Sequence, residues 1–304
     1  MAQRRFLTGV AFVLVVAGCR TLPPDAQCWS LDGRVLRSPA PAPDTQRAQL
    51  DALAAAEAAW RAAPTDKDAA IWYARRLGYV GRYRDAIEVL SEALDDHPGD
   101  AFLLRHRGHR WITLREFGKA AWDLERAAFA CRLTPDEVEP DGAPTPGRPP
   151  HSSLHYNVHY HLGLALFLAG DFAPAERAWL DCLAVVDDDE SRVAVTHWLW
   201  CVRMRLGDKA GALAVVAPIH ERMDVVENVA YLNLCLLYAG KKQRDEIAPR
   251  DGSSGAALAF GLAHHALVMG ARAQAMAGFE ALCAGAGWSA FGVIAAEAEL
   301  ARAR

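Results

Sequence analysis

The chain has 304 residues, 52% of them hydrophobic, with 33 basic and 37 acidic side chains and a net charge of -4. That is ample apolar content for a core, and the slightly acidic balance excludes a nucleic-acid binder built on a clustered positive surface. Alanine is abundant and β-branched runs are scarce, so helix is favoured over sheet throughout.

Residues 1–18 read as a processing segment. Arg4 and Arg5 precede a short apolar run from Phe6 to Val16, too short to span a bilayer as a helix, which ends in Val16-Ala17-Gly18-Cys19. This ending resembles the lipobox of bacterial lipoproteins. The resemblance implies cleavage before Cys19 and acylation of the new N-terminus, with several chains giving stable attachment to a lipid bilayer. Arg20 stands where an aspartate would be an inner-membrane retention signal. The implied location is therefore the periplasmic face of the outer membrane. Residues 19–46 read as a proline-rich tether containing Pro23-Pro24 and the alternation Pro39, Pro41, Pro43. Within it Cys28-Trp29 is isolated, and Trp29 is expected to pack on the first helix.

From residue 47 to the end the pattern is helical and repetitive. Arg47 to Ala63 places Leu50, Leu53, Ala54 and Trp60 at helical spacing before Pro64. A step of 34 residues then links Leu77 to Trp111, Tyr83 to Phe117, Ala86 to Ala120, Leu90 to Leu124, Ala93 to Ala127 and Pro64 to Pro98. This order of small, aromatic and large residues at this period resembles the tetratricopeptide repeat, TPR. Thr65 or Asp66 and then Asp100 are expected to cap the first helices of two hairpins, with turns at Gly81 and Arg115-Glu116. Arg107 stands at a packing place usually held by leucine.

The register breaks once. Gly108 and Gly163 are 55 apart, one period plus 21 residues, and the excess falls near Thr134–Ser153, a stretch with six prolines. No helix survives there. Such a stretch is either disordered or a functional loop, with an ordered loop lying on the solenoid surface slightly favoured. A third hairpin follows (Leu162, Gly163, Leu166, Gly170, Phe172, Ala175, Trp179, Cys182), with Asp171 as cap and Pro174 in the first turn of its second helix. Gly207, Ala212 and Val216 mark a fourth, after the acidic run 187–190. Leu232, Leu236 and Gly240 mark a fifth, made irregular by Asp245. Leu262, Ala266, Gly270, Ala275 and Phe279 mark a sixth. The tail, with Phe291, Ile294 and Ala298 on one face and charges elsewhere, reads as a capping helix. The predicted fold is thus an all-α, TPR-type α-solenoid of about six helical hairpins with capping helices, over residues 47–304. Five of the seven cysteines fall inside apolar helical patterns and read as small hydrophobes, with a disulfide such as Cys182–Cys201 left open in an oxidising compartment.

No metalloprotease, nucleophile-elbow, Walker A or dinucleotide motif is present, so no enzyme and no cofactor are predicted. His155 and His159 would share a helix face and are the weak metal candidates, beside His151 and His161, but no further ligand is spaced to join them. That cluster carries the alternative of a metal-binding protein or enzyme. The stronger candidate is the concave wall, lined in a TPR solenoid by the first helix of each hairpin. Its inward places are Ile71, Arg75, Tyr79, Arg105, His109, Ile112, Asn157, Tyr160, Leu164, His197, Phe260 and His264. Of these, Arg75, Tyr79, Arg105, His109, Asn157, Tyr160, His197, Phe260 and His264 are the expected partner contacts. Basic groups interleaved with aromatics suit an acidic or C-terminal peptide, or a partner helix. Ile71, His106 and His161 stand where chaperone-binding TPR domains carry their carboxylate clamp, so a chaperone tail is not expected. The wording around Arg105–Ile112, Pro135–Gly142 and Thr196–Leu199 resembles a group of bacterial TPR lipoproteins, which implies fold without mechanism. The expected function is a membrane-anchored scaffold binding a protein or peptide, or an outer-membrane assembly or pilotin-like factor.

Overall fold

The computed structural model describes residues 21–38, 43–140, 142 and 145–304. The leader, Cys19 and residues 39–42 of the expected tether lie outside them. Each helix begins where local chemistry satisfies its first amides. α1 (Pro43–Ala62) precedes α2 (Lys67–Tyr79), where the Asp66 carboxylate accepts the N–H groups of Asp68 and Ala69. Gly81, at φ +78°, turns the chain into α3 (Tyr83–Asp96). Asp100 accepts the Leu103 N–H and opens α4 (Ala101–Thr113), and α5 (Phe117–Cys131) completes the second hairpin. Ser153 caps α6 (Leu154–Ala169), which pairs with α7 (Phe172–Ala184). Asp171 stands at the N-cap of α7 but its side chain makes no cap bond. Then come α8 (Asp189–Leu206), α9 (Lys209–Val216), α10 (Val229–Tyr238), α11 (Gly252–Val268), α12 (Arg272–Cys283) and α13 (Phe291–Ala303). The fold is an all-α solenoid of TPR-type hairpins. In the fifth, a 3₁₀ turn at Arg244–Glu246 replaces the second helix, the irregularity foreseen at Asp245.

The 34-residue pattern is a packing pattern. Leu77, Ala86, Leu90, Ala93, Ala120, Leu124 and Ala127 are all buried. Gly108 and Gly163 let helices of one hairpin close up: an added Cβ would sit 2.7 Å from Leu124 and 2.5 Å from the Trp179 ring. Trp179 is fully buried, donates to the Tyr160 carbonyl at 3.1 Å and stacks on Trp198. Arg107, in leucine's place, makes two bonds of 2.7 and 2.8 Å to the buried Asp123 and a third to Ser91. The position remains a packing place, bridged by a paired charge.

The two ends of the solenoid meet, which the tether reading did not anticipate. Residues 21–38 fold into a clasp, with strands β1 (Cys28–Trp29) and β2 (Val35–Leu36) paired antiparallel. On one side the Gln27 amide oxygen accepts the N–H groups of Tyr83 and Arg84, and Ser38 Oγ donates to the Gly81 carbonyl at 2.6 Å. On the other side Leu31 N–H donates to Glu297, Arg34 to the Cys283 carbonyl, and Trp288 Nε1 to the Arg37 carbonyl. Trp29 lines a cleft of about 500 Å³ with Trp111 and Leu114, beside the second hairpin. The charges of α13 are also placed differently than expected. Glu297 is buried on Arg115 at 2.7 Å, and Glu299 is buried between Arg205 and Arg302 at 2.6 and 2.9 Å. A helix wedged between both ends has no solvent face at these positions. Among the described residues every cysteine is a free thiol, Cys182 and Cys201 included, and no helix is long and apolar enough to cross a membrane.

Candidate functional site

The first helices of successive hairpins, α2, α4 and α6, run side by side along the inner wall. Arg105 is buried there, with Nη2 3.0 Å from Glu139 Oε2 and Nη1 2.9 Å from His106 Nδ1. Arg75 lies over the Trp72 ring and donates from Nη1 to the Pro140 carbonyl at 2.7 Å. His109 is half-buried, stacked on His161 at 4.6 Å and tilted against Phe291 of α13 at 5.2 Å. Arg110, beside it, reaches across to α2 over the bare backbone of Gly78, where an added Cβ would meet its guanidinium at 2.6 Å. Tyr79 is 38% exposed and marks the open mouth of the wall.

Electrostatically the wall is one-sided. Arg75, Arg105 and Arg110 act on one another, and among the described residues Glu139 is the carboxylate that opposes Arg105 and Arg75. Burial pulls Arg105 below its ordinary value and Arg110 down to about 10. It holds His106 and His109 well below the usual histidine range, with the neighbouring arginines adding to the effect. Burial also pushes the Glu139 carboxyl up, against the pull of Arg105 and Arg75. Desolvation therefore exceeds pairing at this cluster.

The remaining expected contacts lie deeper. Asn157 and Tyr160 are buried, and His197, Phe260 and His264 have no exposed surface. Tyr160 accepts from Trp198 Nε1 at 2.8 Å, and His197 packs among Tyr231, Trp198 and Phe260 with Nδ1 3.2 Å from the Tyr238 hydroxyl. Both ring nitrogens of His264 are without a hydrogen-bond partner. Burial brings His161, His197 and His264 down to about 3, so they sit as neutral aromatic rings in the core. These five expected contacts thus pack inside the molecule, among the side chains of neighbouring helices. Arg75, Tyr79, His109 and Arg110 stay accessible on the wall, with Arg105 behind them.

Two residues of the wall escaped the sequence pattern. Arg110 carries no periodic signal; its clue is glycine on the facing helix, at Gly78. Glu139 was read as loop, although its acidic neighbourhood, Asp136-Glu137-Val138-Glu139, complements a wall with no acid of its own. The histidines of α6 diverge: His155 Nδ1 lies 4.0 Å from Asp136, while His161 turns to the wall and bonds the Asn157 carbonyl. Among the described residues no three histidine, cysteine or carboxylate side chains converge as metal ligands would.

No family profile matches the chain and no curated protein matches it in sequence. Solved structures do match. A tetratricopeptide repeat protein from Parabacteroides merdae is 16% identical, covering 78% of this chain and 88% of its own, with a TM-score of 0.49. PilW, a widely conserved type IV pilus biogenesis factor, is 17% identical over 80% of this chain and 89% of its own, TM-score 0.47. YrrB, described as a TPR protein with an unusual peptide-binding site, is 14% identical over 75% of this chain and all of its own, TM-score 0.44.

Proposed function

We propose that this chain is a membrane-anchored scaffold that holds a protein or peptide partner against Arg75, Tyr79, His109 and Arg110. The observation that carries the reading is the unbalanced charge of the inner wall: among the described residues Arg75, Arg105 and Arg110 act on one another, and the carboxylate set against them, Glu139, acts on Arg105 and Arg75. Cations desolvated on a rigid helical wall are poor for folding and well suited to recognition, because a bound carboxylate restores their lost hydration. The solenoid supports this by fixing α2 and α4 relative to each other, so little order must be created on binding. Acylated Cys19 would keep the complex at the membrane surface, and Arg20 beside it favours the periplasmic face of the outer membrane as the location.

A photoreactive residue at position 79 tests the site. It should crosslink a partner in membranes, whereas the same residue at position 122, which is 65% exposed on α5, should not. Partner capture at 122 and none at 79 would overturn the assignment. For the anchor, Cys19→Ser should release the protein from the membrane fraction; unchanged sedimentation would sink that part of the reading.

A further inference from the structure

We infer that the insertion carries the wall's own ligand: Glu139 and Pro140 occupy the site as an internal extended acidic peptide, and the partner recognised is an acidic peptide that replaces them on Arg105 and Arg75. This rests on reading the wall as the partner site and names its ligand class.

The segment is bound as a peptide would be. It is extended, bridged to the start of α6 and the residues before it by Glu139 N–H to the Ser152 carbonyl at 3.0 Å and Leu154 N–H to the Glu137 carbonyl at 2.8 Å. Its side-chain carboxylate meets Arg105 at 3.0 Å and His106 at 3.8 Å, and its next main-chain carbonyl meets Arg75 at 2.7 Å. One charge-assisted contact and one main-chain contact, on adjacent residues, is the grip by which extended peptides are read.

The occupancy is also incomplete. Glu139 Oε1 and Arg105 Nε are buried without a hydrogen-bond partner, and among the described residues Arg110 has no carboxylate in its hydrogen bonds and ion pairs. A buried ion pair with orphan atoms gives little net stability. A longer acidic ligand that also reached Arg110 would satisfy more of the wall. Nor is the insertion needed to form a hairpin. Four residues join α3 to α4 and four join α7 to α8, whereas 22 join α5 to α6, which pack directly on each other. The segment can therefore leave while the helices stay. The apparent affinity of an outside peptide is then reduced by the fraction of molecules in which the internal one is bound.

The probe is a fluorescein-labelled peptide of residues 134–140, titrated by anisotropy against the full chain. It should bind Glu139→Ala at least tenfold tighter than the unaltered protein, and adding Arg105→Gln should abolish that gain. No binding to a folded Glu139→Ala variant, or equal binding with and without Arg105, would overturn the inference. Hydrogen exchange on the unaltered chain provides a second readout: the amides of Glu139 and Leu154 should exchange at least tenfold faster than those inside α4. Protection equal to α4 would overturn it as well. If the peptide fails while position 79 still crosslinks a partner, the scaffold reading stands and only the internal-ligand inference falls.

Discussion

Two buried arginine–glutamate pairs hold distant segments of this chain onto the solenoid, and they differ in how completely they are satisfied. Arg115 donates to Glu297, to the Thr113 and Trp288 carbonyls, and lies over the Trp288 ring, leaving only Nε unpaired. Glu297 in turn accepts the Leu31 N–H of the clasp. Arg105 likewise leaves Nε unpaired, but its partner differs: Glu139 Oε1 is also buried without a hydrogen bond, whereas both Glu297 oxygens are bonded. Arg115 also adopts φ +66°, at the place one period after Gly81, where a side chain costs about 1–2 kcal/mol. Strain of that size persists when the surroundings over-determine it. The Arg115 pair is thus a structural latch joining both ends of the solenoid. The Arg105 pair belongs to a segment that can exchange.

The comparison can be broken at either pair. Arg115→Ala should cost about 3–5 kcal/mol, because Glu297 is left charged and buried on a helix that cannot swing it to water. Urea denaturation measures this, and limited trypsin digestion at Arg34 and Arg37 should show the clasp released. Trp179→Ala should cost a similar amount, about 3–5 kcal/mol, by opening a cavity between α6 and α7, yet leave the clasp protected. Equal clasp cleavage in both variants would mean that the latch has no local role. Arg105→Ala should cost only about 1 kcal/mol, since Glu139 sits on a connecting segment free to move into solvent. A loss as large as that of Arg115→Ala would make the insertion a structural element and erase the distinction.

What was legible in the sequence follows from range. The hairpins were visible because Ala86, Ala120, Leu90 and Leu124 repeat a local packing solution, and the Asp66 and Asp100 caps act within three residues. The inner face was assigned to the first helices for the same reason. Its accessibility was not, because it depends on superhelical curvature, the sum of small rotations between hairpins that no single residue encodes. That curvature brings Phe291 to His109 and closes Asn157, Tyr160, His197, Phe260 and His264 into the core. The clasp left no trace because its strands are two residues each, below the length at which alternation can be read. Glu297 and Glu299 looked like a solvated face since Arg115 and Arg205, which pair with them, are on other hairpins.

Acid should separate the core from the exchangeable segment. Free histidine titrates near 6.5, but His161, His197 and His264 are held to about 3 by burial. The unfolded chain therefore binds protons that the folded one refuses. Their stability contribution is complete above pH 6.5 and is lost as pH falls toward 3, by up to about 1.4 kcal/mol per pH unit for each ring. Glu139 runs the other way. Its carboxyl lies above the ordinary 4.5, so what it contributes is present below pH 4.5 and is lost as pH rises through its raised value. His264→Phe isolates the first effect, since its ring lies between Phe167 and Phe260 and its nitrogens have no hydrogen bond to lose. The variant should match the parent at pH 8 in urea denaturation and lose about 2 kcal/mol less on going to pH 5. If both proteins lose the same amount, His264 is not the neutral core ring described above, and the acid sensitivity of the fold lies elsewhere.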